Sequence, residues 1–311
     1  MSGVHPQLRV LVAGREGQVA RALLSAFEAA GWQIAARGRD SLDLAGAAGA
    51  IRDAVRAEAP DLVVNAAAYT AVDRAESELD AAMAVNRDGA AALAQAAASV
   101  GAPVLHVSTD YVFNGDKGEP YAEDDAPAPI GAYGRSKLEG EAAVLAANPR
   151  SLVLRTSWVC SATGQNFLRT MLRLAETRDE VSVVDDQRGA PTFAADLAEA
   201  IVHMAPRMVA SRAGDPAFGV FHLSGAPDTT WHGFAEAIFA GVAARGRRAP
   251  VLRAIPTSAY PTPTRRPADS RLDCSRIAAV HGIRRPDWRP ALERCLDELL
   301  GAAADAAAAA A

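Results

Sequence analysis

Five short apolar runs, separated by alanine-rich stretches of helical spacing, constrain this chain more than any other feature in it. The runs are Leu8–Ala13, Trp32–Ala36, Leu62–Ala66, Val104–Ser108 and Leu152–Thr156. The intervening stretches include Gln18–Ala30, Gly46–Glu58 and Arg87–Val100. A strand apolar along its whole length must be covered on both faces, and a helix between successive strands returns the chain to the same end of the sheet. The pattern predicts an α/β fold built on a doubly wound parallel sheet. In such sheets ligands bind beyond the carboxyl ends of the strands. The residues just past each run are therefore where chemistry is sought.

After about residue 155 the rhythm changes. Helical patterns at Asn166–Arg178, Ala194–Met208 and Trp231–Ala244 are divided by loops rich in Pro, Asp and Arg. The segment Pro256–Pro267 carries four prolines and two arginines and is not expected to form a helix. This reading divides the chain into a sheet domain over 1–155 and a smaller C-terminal lobe over 156–300, some segments of which return to the first domain. The alanine-rich tail 301–311 is expected to fray.

Half of the 311 residues are hydrophobic and 22% are charged, an ordinary globular balance, and the net charge is −5. No basic patch points to nucleic acid. The three cysteines, Cys160, Cys274 and Cys295, have no metal-binding spacing and suit a reducing compartment. The run Leu8–Ala13 is too short for a signal segment, and no stretch reads as a membrane span. A cytoplasmic protein is expected.

Four strand ends carry motifs. Gly14, Gly17 and Ala20 follow the first run in a GxxGxxA spacing. Glycines there let the backbone approach a phosphate, and the helix that follows offers its free N–H groups. A dinucleotide in a Rossmann-type sheet is the expected ligand, with Gly14, Gly17, Gln18 and Val19 against it. After the second run come Arg37 and Arg39, with Asp40 only later. An arginine accommodates a ribose 2′-phosphate, so NADPH is favoured, with NADH the alternative. Asp43 and Leu44 are placed against the adenine. The third end, Asn65 to Thr70, has three alanines against which a cofactor can lie. The fourth holds Ser108, Thr109, Asp110 and Tyr111. Beyond it stand Tyr133 and Lys137, four residues apart and so on one helical face. A free phenol has a pKa of about 10, and a neighbouring ammonium is expected to lower it and suit it to acid–base work on a carbonyl.

In this order the motifs resemble the extended short-chain dehydrogenase/reductase family. Ser108–Phe113, Arg155–Val159, Asp186–Thr192, Thr230–His232 and Tyr260–Asp273 narrow the resemblance to the dTDP-4-dehydrorhamnose reductases, over residues 8 to about 300. The resemblance implies reduction of the 4-keto group of dTDP-4-dehydro-L-rhamnose by NAD(P)H. It implies Tyr133 as proton donor, Lys137 as its partner and nicotinamide-ribose contact, and Thr109 on the carbonyl oxygen. Asp110 and Trp158 would contact the sugar, and Arg265 and Arg266 the diphosphate. Ala68, Tyr69, Thr70 and Val107 would line the cofactor. Some members form a Mg²⁺-bridged dimer through glutamates; the resemblance leaves Mg²⁺ possible here, but Ala22 and Ala195 stand at the usual bridging positions, and a monomer or homodimer is expected. Another nucleotide-sugar reductase or epimerase, or a non-catalytic NADP-binding subunit, are the rival readings. A dehydratase would follow Thr with Asp-Glu, whereas Tyr111 follows Asp110 here.

Overall fold

The computed structural model describes residues 7–301. The tail from 302 onward, where fraying is expected, lies outside the described residues. The first half runs β1 (Arg9–Ala13), α1 (Gln18–Ala29), β2 (Gln33–Arg37), α2 (Ala48–Glu58), β3 (Leu62–Asn65), α3 (Leu79–Met83), α4 (Ala90–Ser99), β4 (Val104–Thr109), α5 (Ala132–Ala147) and β5 (Ser151–Thr156). The second half runs β6 (Val159–Cys160), α6 (Phe167–Thr177), β7 (Glu180–Val184), β8 (Arg188–Gly189), β9 (Thr192–Phe193), α7 (Ala194–Ala210), β10 (Gly219–His222), β11 (Thr229–Thr230), α8 (Trp231–Ala244), β12 (Val251–Ile255), α9 (Ser275–His281) and α10 (Trp288–Leu300).

Six parallel strands form the central sheet in the order β10-β5-β4-β3-β1-β2. Strand periodicity sends alternate residues to opposite faces. Val10, Val12, Leu62, Val64, Leu152 and Leu154 enter one core with α1 and α7. Leu11, Ala13, Val63 and Val104 enter the other with α2 and α4. The chain changes direction between β1 and β3, and this switch point opens a crevice at their carboxyl ends. A third core gathers α6, β7, α8 and α10 around Leu168, Phe234, Ile238 and Leu296. Two elements beyond residue 155 belong to the first layer: β10 extends the sheet beside β5, and α7 packs on α1. No helix among the described residues is long and apolar enough to cross a membrane.

Some boundaries differ from the sequence reading. Trp32 precedes β2 and stacks on Phe27 at 5.1 Å, so the strand starts one residue later. Gly46 gives its N–H to the Asp43 carbonyl in a turn, and α2 begins only at Ala48. Arg87–Val100 is not one helix: a π-helical stretch, Ala84–Gly89, precedes α4. The proline-rich loop does contain one turn of 3₁₀ helix, Thr257–Ala259, because only its flanks hold the prolines. Helices α9 and α10 were not among the helical patterns read from the sequence, although Asp287 caps α10 by accepting the Arg289 N–H and Gly301 follows its end.

Candidate active site

Helix α5 brings Tyr133, Lys137 and Glu141 to one face at intervals of four. It lies unusually close to its neighbours because two glycines permit it. A Cβ on Gly134 would stand 2.1 Å from the Tyr111 carbonyl oxygen, and one on Gly140 only 1.9 Å from that of Asn86. Glu76 accepts the Ala132 N–H at 2.9 Å and holds the start of the helix. Asn86, in the π-helical stretch, accepts the Tyr69 N–H at 2.8 Å and donates to the Tyr69 carbonyl and to Ser136. That one carboxamide ties the loop after β3 to α5, and π-helical turns are concentrated at functional sites. Sequence reasoning missed Asn86.

Tyr133 and Lys137 line a cleft of about 580 Å³ with Thr109, Asp110, Val107 and Trp158. Burial pushes the Tyr133 hydroxyl above the usual tyrosine value, with Thr109 acting in the opposite direction. Lys137 is only 2% exposed. Burial lowers its pKa to about 8, and the Glu141 carboxylate opposes that. The expected lowering of the Tyr133 pKa by Lys137 is therefore corrected. The ammonium donates to the Val107 carbonyl at 2.7 Å and lies 3.3 Å from His106 Nε2, and burial dominates the phenol. A phenol kept protonated is a donor, which is what a developing alkoxide needs.

A buried ammonium costs stability. Its folded-state pKa is lowered, so between about pH 8 and the unfolded lysine value near 10.4 the unfolded chain binds more protons, and stability rises with pH there. Lys137→Met is expected to raise stability at pH 7, on the order of 2 kcal/mol, while activity is lost. Thermal unfolding of both proteins at pH 7 and pH 10, where the gap should narrow, checks this.

Asp110 is also buried. Its pKa is raised to about 6 by desolvation, against hydrogen bonds that include Ser270 and Thr109. Thr109 donates to Asp110 Oδ1 at 3.1 Å, but Oδ2 has no partner. The Thr156 hydroxyl, across the β4–β5 register from Thr109, is likewise buried without a partner and lines the same cleft. Unpaired buried polar atoms cost free energy unless a ligand completes them. Thr156 was not singled out in the sequence, although it lies in the Arg155–Val159 block.

The opposite wall is formed by the switch point. Gly14 has φ +116°, a conformation strained for other residues, and a Cβ there would lie 3.3 Å from the Ala66 carbonyl carbon. Gly17 caps α1 with no side-chain bond, so the first N–H groups of that helix face the crevice unclaimed. Gly17, Gln18, Val19, Ala68 and Thr70 line the cleft. Gln18 also bridges to the second lobe, accepting from Ser161 at 2.9 Å and Asn166 at 2.7 Å. Other expected contacts are not in the cleft lining. Asp43 is exposed and holds the Ala45 N–H, Leu44 is buried in a core, and the Tyr69 hydroxyl donates to Glu78 at 2.7 Å. Arg37 pairs with Glu58 on α2, while Arg39 is exposed.

On the far side Trp158 adopts φ +46° and stacks on Trp231 with ring centres 3.6 Å apart. Gly189 makes room, since a Cβ there would meet the Trp158 ring at 2.7 Å. Val72, Tyr111 and Trp231 are shared with a second chamber of about 460 Å³ that also holds Arg266 and Tyr260. Arg266 donates to Asp73 at 2.8 Å and lies over the Tyr111 ring. Arg265 points away, exposed, 3.9 Å from Asp116. Ala22 and Ala195 lie together in a groove between α1 and α7.

A parallel sheet with an uncapped phosphate turn at its switch point, facing a half-buried tyrosine and a buried lysine one helical turn apart, defines a nicotinamide-dependent oxidoreductase of the short-chain type. The family described as RmlD substrate binding domain matches residues 8–300. A dTDP-4-dehydrorhamnose reductase of Sinorhizobium fredii is 48% identical over 94% of this chain and 98% of its own length. One from Escherichia coli is 41% identical, covering 94% and 98%. Among solved structures, the dTDP-4-dehydrorhamnose reductase of Bacillus anthracis in complex with NADP aligns at a TM-score of 0.87, with 32% identity over 94% of this chain and all of that one. The chain belongs to the RmlD family, that of the dTDP-4-dehydrorhamnose reductases.

Proposed function

We propose that this chain reduces the C4 carbonyl of dTDP-4-dehydro-L-rhamnose with NADPH, giving dTDP-L-rhamnose for rhamnose-containing polysaccharides. The observation that carries the reading is the convergence of the Tyr133 hydroxyl, Thr109, Lys137 and the Gly17 turn on one cleft, where desolvation raises the phenol's pKa. NADPH supplies the hydride when bound, and the glycine turn, the α1 N-terminus and the alanine wall at Ala66–Ala68 suit its phosphates and bulk. Thr109 and Tyr133 hold the substrate oxygen, where negative charge grows as the C=O bond becomes C–H and C–O⁻. Tyr133 then gives its proton to that oxygen. Lys137 supplies positive charge beside the phenolate left behind. Asp110, Thr156 and Trp158 orient the sugar. The second chamber, with Arg266, receives the nucleotide diphosphate.

The reaction is followed by NADPH absorbance with dTDP-4-dehydro-L-rhamnose made from dTDP-glucose. No oxidation of NADPH would sink the proposal. The dehydratase reading needs two carboxyl groups beside Thr109, and only Asp110 is there.

Two results are expected from the binding residues. Arg266→Ala should raise KM for the dTDP-sugar about 10- to 100-fold, the range of one hydrogen bond to a charged group, with a smaller effect on kcat. An unchanged KM places the diphosphate elsewhere. For the cofactor, Arg39 lies exposed just past β2 with no ion-pair partner among the described residues, and NADPH is preferred over NADH through it. Arg39→Ala should narrow that preference by about tenfold, measured as the ratio of kcat/KM values. The protein works as a monomer or homodimer in the cytoplasm, which suits its three free cysteines.

A further inference from the structure

The buried groups beneath Lys137 have no role in the chemistry above, yet their hydrogen bonds cannot all be satisfied at once. His106 on β4 is 1% exposed. Its Nε2 lies 3.3 Å from Lys137 Nζ and its Nδ1 lies 3.0 Å from Asn65 Nδ2. The Asn65 carboxamide is oriented by its other end, where Oδ1 accepts the Ala67 N–H at 3.2 Å. A neutral imidazole has one lone pair and one N–H. Here it faces a carboxamide NH₂ on one side and an ammonium on the other, two donors for one acceptor. The ring itself stays neutral, since burial and Lys137 both disfavour its charged form.

We propose that His106 is a positioning residue whose single lone pair is contested by Lys137 and Asn65, linking the proton on Lys137 to the backbone at Ala67. With Lys137 charged, Nε2 accepts from it, Nδ1 carries the hydrogen, and Asn65 must turn its oxygen toward Nδ1 and release Ala67. With Lys137 neutral, Nε2–H donates to the amine, Nδ1 accepts from Asn65, and Oδ1 keeps Ala67. The ring hydrogen changes nitrogen and the one proton lost comes from Lys137. Ala67 lines the cleft, so the state of the lysine reaches the wall against which the cofactor lies.

The other charges around Lys137 do not substitute for this contact. On α5 its face holds Tyr133 and Glu141, and Glu141 is already engaged by Arg155 from β5. Asp110 sits past the end of β4 and bonds Thr109. Arg87, Asp88 and Glu139 pair with one another in exposed contacts. Lys137 Nζ has two bonded neighbours, the Val107 carbonyl and His106.

The inference extends the reading of Lys137 as a working cation, but its test reads the lysine directly in the ligand-free protein. The chain has only two lysines, Lys117 and Lys137. Lysine labelled with ¹³C at Cε therefore gives two NMR signals. Lys117 pairs with Asp125 and its pKa is raised, whereas that of Lys137 is lowered to about 8, so the titrations separate. In His106→Leu the Lys137 midpoint should fall by about one pH unit, because an acceptor for the charged form is gone. In His106→Gln, which keeps an acceptor oxygen, it should stay near the wild-type value. In Asn65→Leu, with the competing donor removed, it should rise. A Lys137 midpoint unmoved in His106→Leu and Asn65→Leu overturns the proposal, and should the first not fold, an unmoved midpoint in the second does so alone. The reductase assay on the same proteins separates this from the functional reading, which fails only if wild-type protein does not oxidise NADPH.

Discussion

Tyr133→Phe should lower kcat by about 10²- to 10⁴-fold, the range for losing a positioned general acid, and leave KM for both substrates within a few-fold. The change is small in volume: the ring stays and one hydroxyl goes. Desolvation raises the phenol's pKa and favours its protonated form, so the lost group is a proton donor and not a charge. In free-energy terms the loss is roughly 3–5 kcal/mol of transition-state stabilisation. Because the hydroxyl also meets Thr109, a companion Thr109→Val should cost less on its own, and the two together less than the sum, since both hold one oxygen. Steady-state kinetics with NADPH checks each value. A Phe variant with unimpaired kcat would move the proton source elsewhere, first to Asp110, a cleft carboxyl whose pKa is raised to about 6.

The largest stability effect is expected at Glu141. Its carboxylate accepts from Ser108 Oγ at 2.5 Å and from Arg155 at 2.7–3.1 Å, and both members of the ion pair are 3% exposed. Arg155 in turn lies 3.3 Å from His222 Nε2 and over the Phe113 ring. Glu141→Ala leaves a buried guanidinium without its counter-charge, which costs about 3–5 kcal/mol. That is a large fraction of the roughly 5–15 kcal/mol that holds a folded protein together. Replacing both partners by methionine should recover most of the loss, because a desolvated ion pair gains little over apolar packing of similar volume. Urea unfolding of wild type and of these two variants measures this. A Glu141→Ala midpoint equal to wild type would mean that water or another carboxylate reaches Arg155.

Much of the fold was legible in the chain itself. The five strands β1 to β5 lie within a residue or two of the apolar runs, because a strand buried on both faces must be apolar throughout. Trp231–Ala244 is helix α8 to the residue, since Thr230 caps it by accepting the Gly233 N–H. The strand ends did hold the cleft residues Gly17, Val19, Ala68, Thr109 and Asp110. What was not legible were contacts made from far away. Arg37 was read as a 2′-phosphate contact with no sign of its pairing to Glu58, 21 residues distant, and Leu44 was read as a ligand contact because nothing local shows that it fills a core. Trp231 was quoted only as part of a block, and its stack with Trp158 joins residues that are distant along the chain.

The sequence by itself determined the doubly wound sheet, the phosphate turn and the presence of a Tyr–Lys pair, because apolar periodicity, glycine turns and helical spacing act over a few residues. The tertiary structure alone decided the charge states of that pair. Burial holds the proton on Tyr133 and loosens the one on Lys137, and the groups that set those environments, His106, Thr109, Glu141 and Arg155, come from three separate elements. Desolvation depends on everything packed around a group, and no spacing along the chain records it.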